Sequence, residues 1–301
     1  MVFLFTAVTS PFVVLFGPFN NVKRAVIGAI LQSRHPQYIT WLFSNDELQS
    51  ILGTVGVVKR QDLFKFNARE DKDLKLEKIE SSRYVGYVLE IPDPRRIQVA
   101  TAANIQEKGD TTSNIAKMNG AVAAINGGGF HDPNGTGTGR LPYGFILHEG
   151  DYIIGKDVGP DESVDFVGFS KSGNLIAGNY DKTELADMKA MEGITFGPPL
   201  IVDGKKMITD GDGGWGVGPR TAIGQRKDGT VLFVVIDGRQ PGYSLGATLR
   251  DVQDVLYEKG AYIAANLDGG SSSTLYLNGK VVNKPADLLG ERMIPTAFIV
   301  K

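Results

Sequence analysis

Four short stretches set chemically capable side chains beside glycines. They are Asn126-Gly127-Gly128-Gly129-Phe130, Arg220 directly after Pro219, Asp237-Gly238-Arg239, and Asn266-Leu267-Asp268-Gly269-Gly270-Ser271-Ser272-Ser273-Thr274. Each lies at the end or the start of an apolar, strand-like run, which is how a rigid sheet presents polar groups to an open cleft. Arginine forks match the oxygens of a phosphate, and glycine-rich turns turn backbone N–H groups toward an anion. Asp237 and Asp268 supply carboxylates for base or nucleophile work. Together they describe an anionic substrate handled by at least one carboxylate. The competing account is that these Asp and Arg residues only brace turns.

Other motifs fail on context. Residues 211–216 (GDGGWG) fit the spacing G-x-G-x-x-G, but Pro219 and a strand-like run follow where a dinucleotide fold needs a helix. Gly242-Tyr243-Ser244-Leu245-Gly246 fits the serine-hydrolase elbow. Residues 237–241 separate it from the preceding strand, and no histidine lies beyond His148. Ser244 then reads as a residue that helps to start the next helix. His131-Asp132 is one histidine beside one carboxylate, weak as a metal site. With only His35, His131 and His148 and no cysteine, thiol chemistry, zinc–cysteine sites and multi-histidine mechanisms are excluded. No organic cofactor is expected, and a divalent metal stays open.

The elements that must position these groups are mostly strands. Residues 83–91 (RYVGYVLEI) alternate and end at prolines; residues 231–236 (VLFVVI) form a continuous apolar run, as in a central strand. Asn278-Gly279 between TLYL and KVV is a strong hairpin signal, and Asp203-Gly204 and Asp228-Gly229 mark two more tight turns. Residues 110–119 read as a short helix capped by Asp110 or Ser113. Residues 248–259 are the best helix, with Leu249, Val252, Val255 and Leu256 on one face and Gly260 just past its end. Each helix leads into a similar segment, GAVAAIN at 120–126 and GAYIAAN at 260–266. The pattern predicts two neighbouring strands whose Asn126 and Asn266 face one cleft. Strands outnumber helices without regular alternation, so the fold expected is α+β, one domain on a mixed or antiparallel sheet with a few helices.

Glycine is the compositional outlier: 38 of 301 residues, 4 of them before residue 81. That shift divides the chain into an N-terminal segment, 1–80, and a glycine-rich domain, 81–301, which carries the chemically capable stretches. The N-terminal part predicts short helices at 22–33 and 44–52, the second opening with a Ser44/Glu47 capping box; the charged stretch 65–82 reads as a solvated face or linker. Residues 1–22 carry no charge, and the apolar run 2–19 would span ~27 Å as a helix, marginally enough for a membrane anchor. Pro11, Gly17 and Pro18 weaken that anchor. Lys23 and Arg24 behind it would hold the rest in the cytoplasm unless a basic segment preceded it. A net charge of −2 argues against a general nucleic-acid partner.

NGGGF at 126–130, PRTAIG at 219–224, DGR at 237–239 and NLDGGSSS at 266–273, in this order, resemble the phosphodiester glycosidase family; the resemblance covers about residues 83–301. It implies a hydrolase that cleaves a sugar from its anomeric phosphodiester, with a cell-envelope or exopolysaccharide phosphoglycan as substrate and an extracytoplasmic or cell-surface location. It also implies Asp268, Asp237, Arg220 and Arg239 as catalytic residues. Asn126, Gly127, Gly128, Asn266, Gly269, Gly270, Ser271 and Ser272 would bind substrate. This chain reads NGGGF where many relatives put a second bulky residue before the phenylalanine, and DGGSSS where they often carry a third glycine; both departures bear on pocket shape. The alternatives are a glycan-binding module without turnover and a metal-dependent phosphoesterase cutting P–O.

Overall fold

The computed structural model describes residues 2–31, 37–52, 61, 63–67, 70–131, 137–155, 158–287 and 289–301. His35 and Asp132 lie outside the described residues.

The run Val231–Ile236 shows why the fold is layered. Val231, Phe233 and Val235 enter one hydrophobic core, while Leu232, Val234 and Ile236 enter another. A strand buried on both faces has no reason to alternate with polar residues. It lies near the middle of a seven-stranded sheet in the order Lys75–Glu80, Val85–Ile91, Val231–Ile236, Arg220–Arg226, Ala261–Leu267, Pro199–Val202, Lys205–Lys206. Helix Leu249–Glu258 covers the outer face with Leu249, Val252 and Leu256. A second sheet runs Lys280–Val281, Leu275–Leu277, Ala123–Asn126, Thr296–Val300, Ile97–Thr101 and carries helix Thr112–Met118 outside. A third runs Asp151–Ile154, Ile146–His148, Ala190–Thr195, Val164–Ser170, Leu175–Tyr180, with helix Lys182–Asp187. The inner faces of all three sheets meet in one core that includes Leu89, Phe233 and Ile263, Ile125 and Phe298, and Val167 and Phe169.

Every ladder between the named strands is antiparallel, so the α+β reading holds in its antiparallel form. The hairpin at Asn278-Gly279 forms with Leu277 opposite Lys280, and both turn residues take positive φ. Helix caps differ in detail. Thr111 caps the first helix of the domain, and Thr248, in a reciprocal box with Asp251, caps Leu249–Glu258. Ser244 caps nothing: its hydroxyl donates to the Asp237 carbonyl and accepts from Val85 N. The charged stretch at 65–82 contains the edge strand Lys75–Glu80, so the large sheet starts before residue 81. Charges on both faces hide such an edge strand from a periodicity argument.

The N-terminal residues form helices Val2–Phe16, Asn20–Leu31, Gln37–Thr40 and Asn45–Leu52. Ile27, Ile39 and Leu48 make a small core of their own, and the Ser44/Glu47 box is present. The apolar run breaks after Phe16 at Gly17-Pro18, and no described helix is long and apolar enough to cross a membrane. The spanning anchor expected for residues 1–22 therefore has no support. Helix Asn20–Leu31 instead docks on the glycine loop 211–218. A Cβ at Gly28 would stand 2.6 Å from Gly216 N and 2.8 Å from Gly214 O. Only glycine allows that backbone-on-backbone approach.

Candidate active site

Antiparallel register brings the polar strand ends together. Arg220 opens its strand opposite Ile236, and Thr221 pairs with Leu267. Arg220, the Asp237–Arg239 turn and Asp268 thus emerge at the same end of three adjacent strands. The second sheet meets them there: Asp268 N donates to Gly127 O at 3.0 Å, and Asn126 Nδ2 donates to Asp268 O at 2.5 Å. The result is a cleft of about 540 Å³ whose lining includes Arg220, Arg239, Arg292, Asp268, Gly269–Ser271 and Trp215.

The arginines differ in their freedom. Arg220 is buried; its Nε donates to Ala247 O at 3.0 Å, and Nη2 donates to Trp215 O at 2.8 Å and Gly216 O at 2.6 Å. Its Nη1, which has no hydrogen-bond partner among the described residues, stands on the Gly269 side, 3.7 Å from where a Cβ there would be. Burial, with the neighbouring charge of Arg239, pulls the Arg220 guanidinium down to about 10, still cationic at neutral pH. Arg239 is exposed, sits on a left-handed backbone (φ 58°), and its side chain has no hydrogen bond among the described residues. Gly270, at φ 63°, leaves room for it; a Cβ would stand 3.3 Å from both of its terminal nitrogens. Arg292 lies over the Phe130 ring at 4.9 Å.

Asp268 is the acid among these cations. Burial raises its carboxyl to about 6, while Ser272, the charge of Arg292, the Gly269 amide and Arg239 pull the other way. Asp268 is half-buried and lines the cleft, where the loss of surrounding water outweighs the nearby positive charges.

Several expected site residues lie behind the cleft. Asp237 is buried and satisfied: its carboxylate accepts from Asn283 Nδ2 at 2.9 Å, Lys284 N at 3.0 Å and Tyr243 OH at 3.1 Å. Asn126 and Asn266 are both fully buried and sit in different sheets, so the expectation of neighbouring strands with both amides facing a cleft is corrected. Asn126 Oδ1 accepts from Thr221 Oγ1 and Thr274 N, and Asn266 Nδ2 donates to Gly197 O; both amides tie chain segments together. Gly127 N and Gly128 N donate to Thr296, and Ser272 is buried behind the loop. Gly269, Gly270 and Ser271 do line the cleft.

Sequence reasoning passed over Arg292, Trp215, Tyr143, Phe196 and Ala29. A second chamber of about 230 Å³, lined by Gly129, Phe130, Tyr143, Phe196 and Trp215, shares Asp268, Arg292 and Trp215 with the first. The chamber residues come from separate loops and Ala29 from a helix, so no spacing in the chain connects them. Among the described residues no cluster of three His, Asp or Glu is placed to hold a metal ion. His131 packs edge-on against Tyr143 and does not line the cleft.

A family model described as phosphodiester glycosidase matches residues 119–301. YomE, an uncharacterized SPbeta prophage-derived protein of Bacillus subtilis strain 168, is 32% identical over 197 residues, covering 63% of this chain and 29% of its own. N-acetylglucosamine-1-phosphodiester alpha-N-acetylglucosaminidase of Bos taurus is 25% identical over 203 residues, covering 61% of this chain and 36% of the relative. The chain thus spans well under half the length of these relatives. The zebrafish catalytic domain of that name, described as auto-inhibited by its pro-peptide, superposes with a TM-score of 0.64 at 20% identity, over 79% of this chain and 86% of that one. A hypothetical protein from Synechocystis gives 0.58 at 16% identity, over 76% and 62%. At these identities the structures establish a shared fold.

Proposed function

Because the chain belongs to the phosphodiester glycosidase family, we propose that it hydrolyses sugar-1-phosphodiesters, breaking the bond between the anomeric carbon and the phosphate oxygen. The observation that carries this reading is Asp268, among the described residues the one carboxylate lining the two chambers, at their meeting point and among three arginines. Ordinary glycosidases need two carboxyls, one of them to protonate a poor leaving group. A phosphomonoester leaves as a stable anion and needs charge stabilisation instead. Arg239, Arg292 and the Nη1 side of Arg220 supply it, Arg220 from a position that three backbone carbonyls fix before reaction begins. The ionised Asp268 then either attacks C1 or takes a proton from the water that does. If Asp268 attacks, the C1–O(phosphate) bond breaks as the glycosyl–aspartate bond forms, and a water then hydrolyses that ester. By either route water's oxygen ends on the sugar as its new hydroxyl with one proton, and the other proton leaves with the phosphomonoester.

Asp237 is a positioning residue in this scheme. It holds Asn283, which donates to Ser273 O directly behind the Gly269–Ser271 turn. The relatives' names make an N-acetylglucosamine-1-phosphodiester the first compound to try. Incubation of the full chain with a panel of sugar-1-phosphodiesters, scored for free sugar, tests the activity; folded protein that releases none contradicts it.

The finer reading is a phosphoglycan of the cell envelope or an exopolysaccharide, met outside the cytoplasm. Its support is the two-chambered cleft, with space on both sides of the phosphate site, and the charge-free, apolar stretch that leads into the domain with Phe12, Phe16 and Phe19 exposed. Cell fractionation that finds the protein wholly cytosolic would reject that location.

A further inference from the structure

The two chambers are chemically unlike, and the difference gives the substrate a direction. One is walled by aromatic rings: Phe130, Tyr143, Phe196 and Trp215. Phe196 meets Trp215 edge to face with centroids 6.0 Å apart, so these rings brace each other and hold their faces in fixed planes. Flat apolar faces beside a few polar groups are what bind the C–H face of a sugar ring. The chambers join at Asp268, Arg292 and Trp215, where the anionic centre must sit. The larger chamber, unlike the aromatic one, is also lined by Val217, Gly218 and Ala29, which carry neither rings nor charge. Ala29 stands on helix Asn20–Leu31, outside the 119–301 family match, and is exposed on the cleft. Backbone contacts of Gly28 with Gly214 and Gly216 fix that helix against the same loop whose Trp215 and Gly216 carbonyls hold Arg220.

We infer that the sugar occupies the aromatic chamber and that the alcohol portion of the phosphodiester runs out past Ala29, making the N-terminal helix the wall that selects this aglycone. The inference rests on the sugar-phosphodiester reading and adds orientation and a specificity residue to it. A small residue at position 29 leaves space for a bulky alcohol such as a further sugar; a large one would close that end and leave the sugar chamber untouched.

The test uses two esters of N-acetylglucosamine-1-phosphate, one with methanol and one with a disaccharide. Their binding is measured by calorimetric titration in the Asp268→Asn background, where it does not depend on turnover. Ala29→Trp is expected to weaken the disaccharide ester at least about tenfold, a loss of ~1.4 kcal/mol, and to leave the methyl ester within about twofold. Ala29→Leu should fall between, and serves if the tryptophan variant does not fold. Tyr143→Ala should weaken both esters alike. Position-29 variants that change both esters equally or neither overturn the assignment. So does a Tyr143→Ala effect confined to the disaccharide ester, which would reverse the direction. If both esters bind as expected but the unaltered protein releases no sugar from either, the catalytic reading fails and the subsite map stands.

Discussion

Asp268 is under opposing demands. Its carboxyl must be ionised to act on C1, yet burial holds it at about 6, well above an ordinary aspartate. kcat/KM should therefore rise with pH through a limb centred near 6 and level off above it; a flat profile from pH 4.5 to 7.5 would remove Asp268 from the reacting role. The same shift sets a stability sign. Between the ordinary aspartate range and about 6 the folded chain holds a proton that the unfolded chain has lost, so stability falls as pH rises through that window. Asp268→Asn should abolish turnover and still raise the melting temperature at pH 7, by roughly 2–5 °C, with little change at pH 4. Thermal melts at the two pH values check this.

Arg220 and Arg239 look alike in sequence and differ in structure. Arg239→Ala should lower kcat about 100- to 1,000-fold without loss of stability, because its fork touches no hydrogen-bond acceptor among the described residues. Lysine should rescue it only in part, since a point charge lacks the bidentate fork. Arg220→Ala should also cost about 2–4 kcal/mol in a denaturant melt, for it strands the Ala247, Trp215 and Gly216 carbonyls in a buried place. Both stand beside polar turns at strand ends, where nothing local distinguishes them; burial, which no local pattern reports, separates them.

At the scale of elements, the site is made by strand ends and held by side chains one layer down. Asp237 at the end of Val231–Ile236 anchors Asn283, Lys284 N and Tyr243. Asp237→Ala should lose about 2–4 kcal/mol of stability through these stranded donors. Its loss of turnover should appear in kcat with KM nearly unchanged if it acts only by positioning the Ser271–Ser273 turn. A rise in KM matching the fall in kcat/KM would instead mean that Asp237 touches substrate. Helix Leu249–Glu258 was legible from its 3.6-residue pattern and terminal glycine because its stripe, its cap and its stop agree. Strand Lys75–Glu80 was not, since an edge strand with charges on both faces carries no period-2 signal.

For the molecule as a whole, Arg220, Arg239, Asp268 and the Gly269–Ser271 turn, all from the ordered motifs, line one cleft. Glycines beside a strand end constrain the backbone locally, and local constraint can be read from a sequence. Asn126, Asn266 and Asp237 carry the same local signature yet lie behind the cleft, because which side of a strand end faces solvent depends on how the sheets pack. Arg292, the aromatic chamber and Ala29 come from distant loops and an N-terminal helix and left no trace in spacing. The N-terminal helices, expected apart from the domain, close one end of the site through Gly28.

The central claim is that the bond broken joins the anomeric carbon to oxygen, with phosphate as the departing group. Hydrolysis of a sugar-1-phosphodiester in ¹⁸O-water, followed by mass spectrometry of the phosphomonoester formed, tests it most directly. The account predicts a phosphomonoester with no added label, all water oxygen having gone to the sugar. One ¹⁸O in each phosphomonoester would show attack at phosphorus and contradict it.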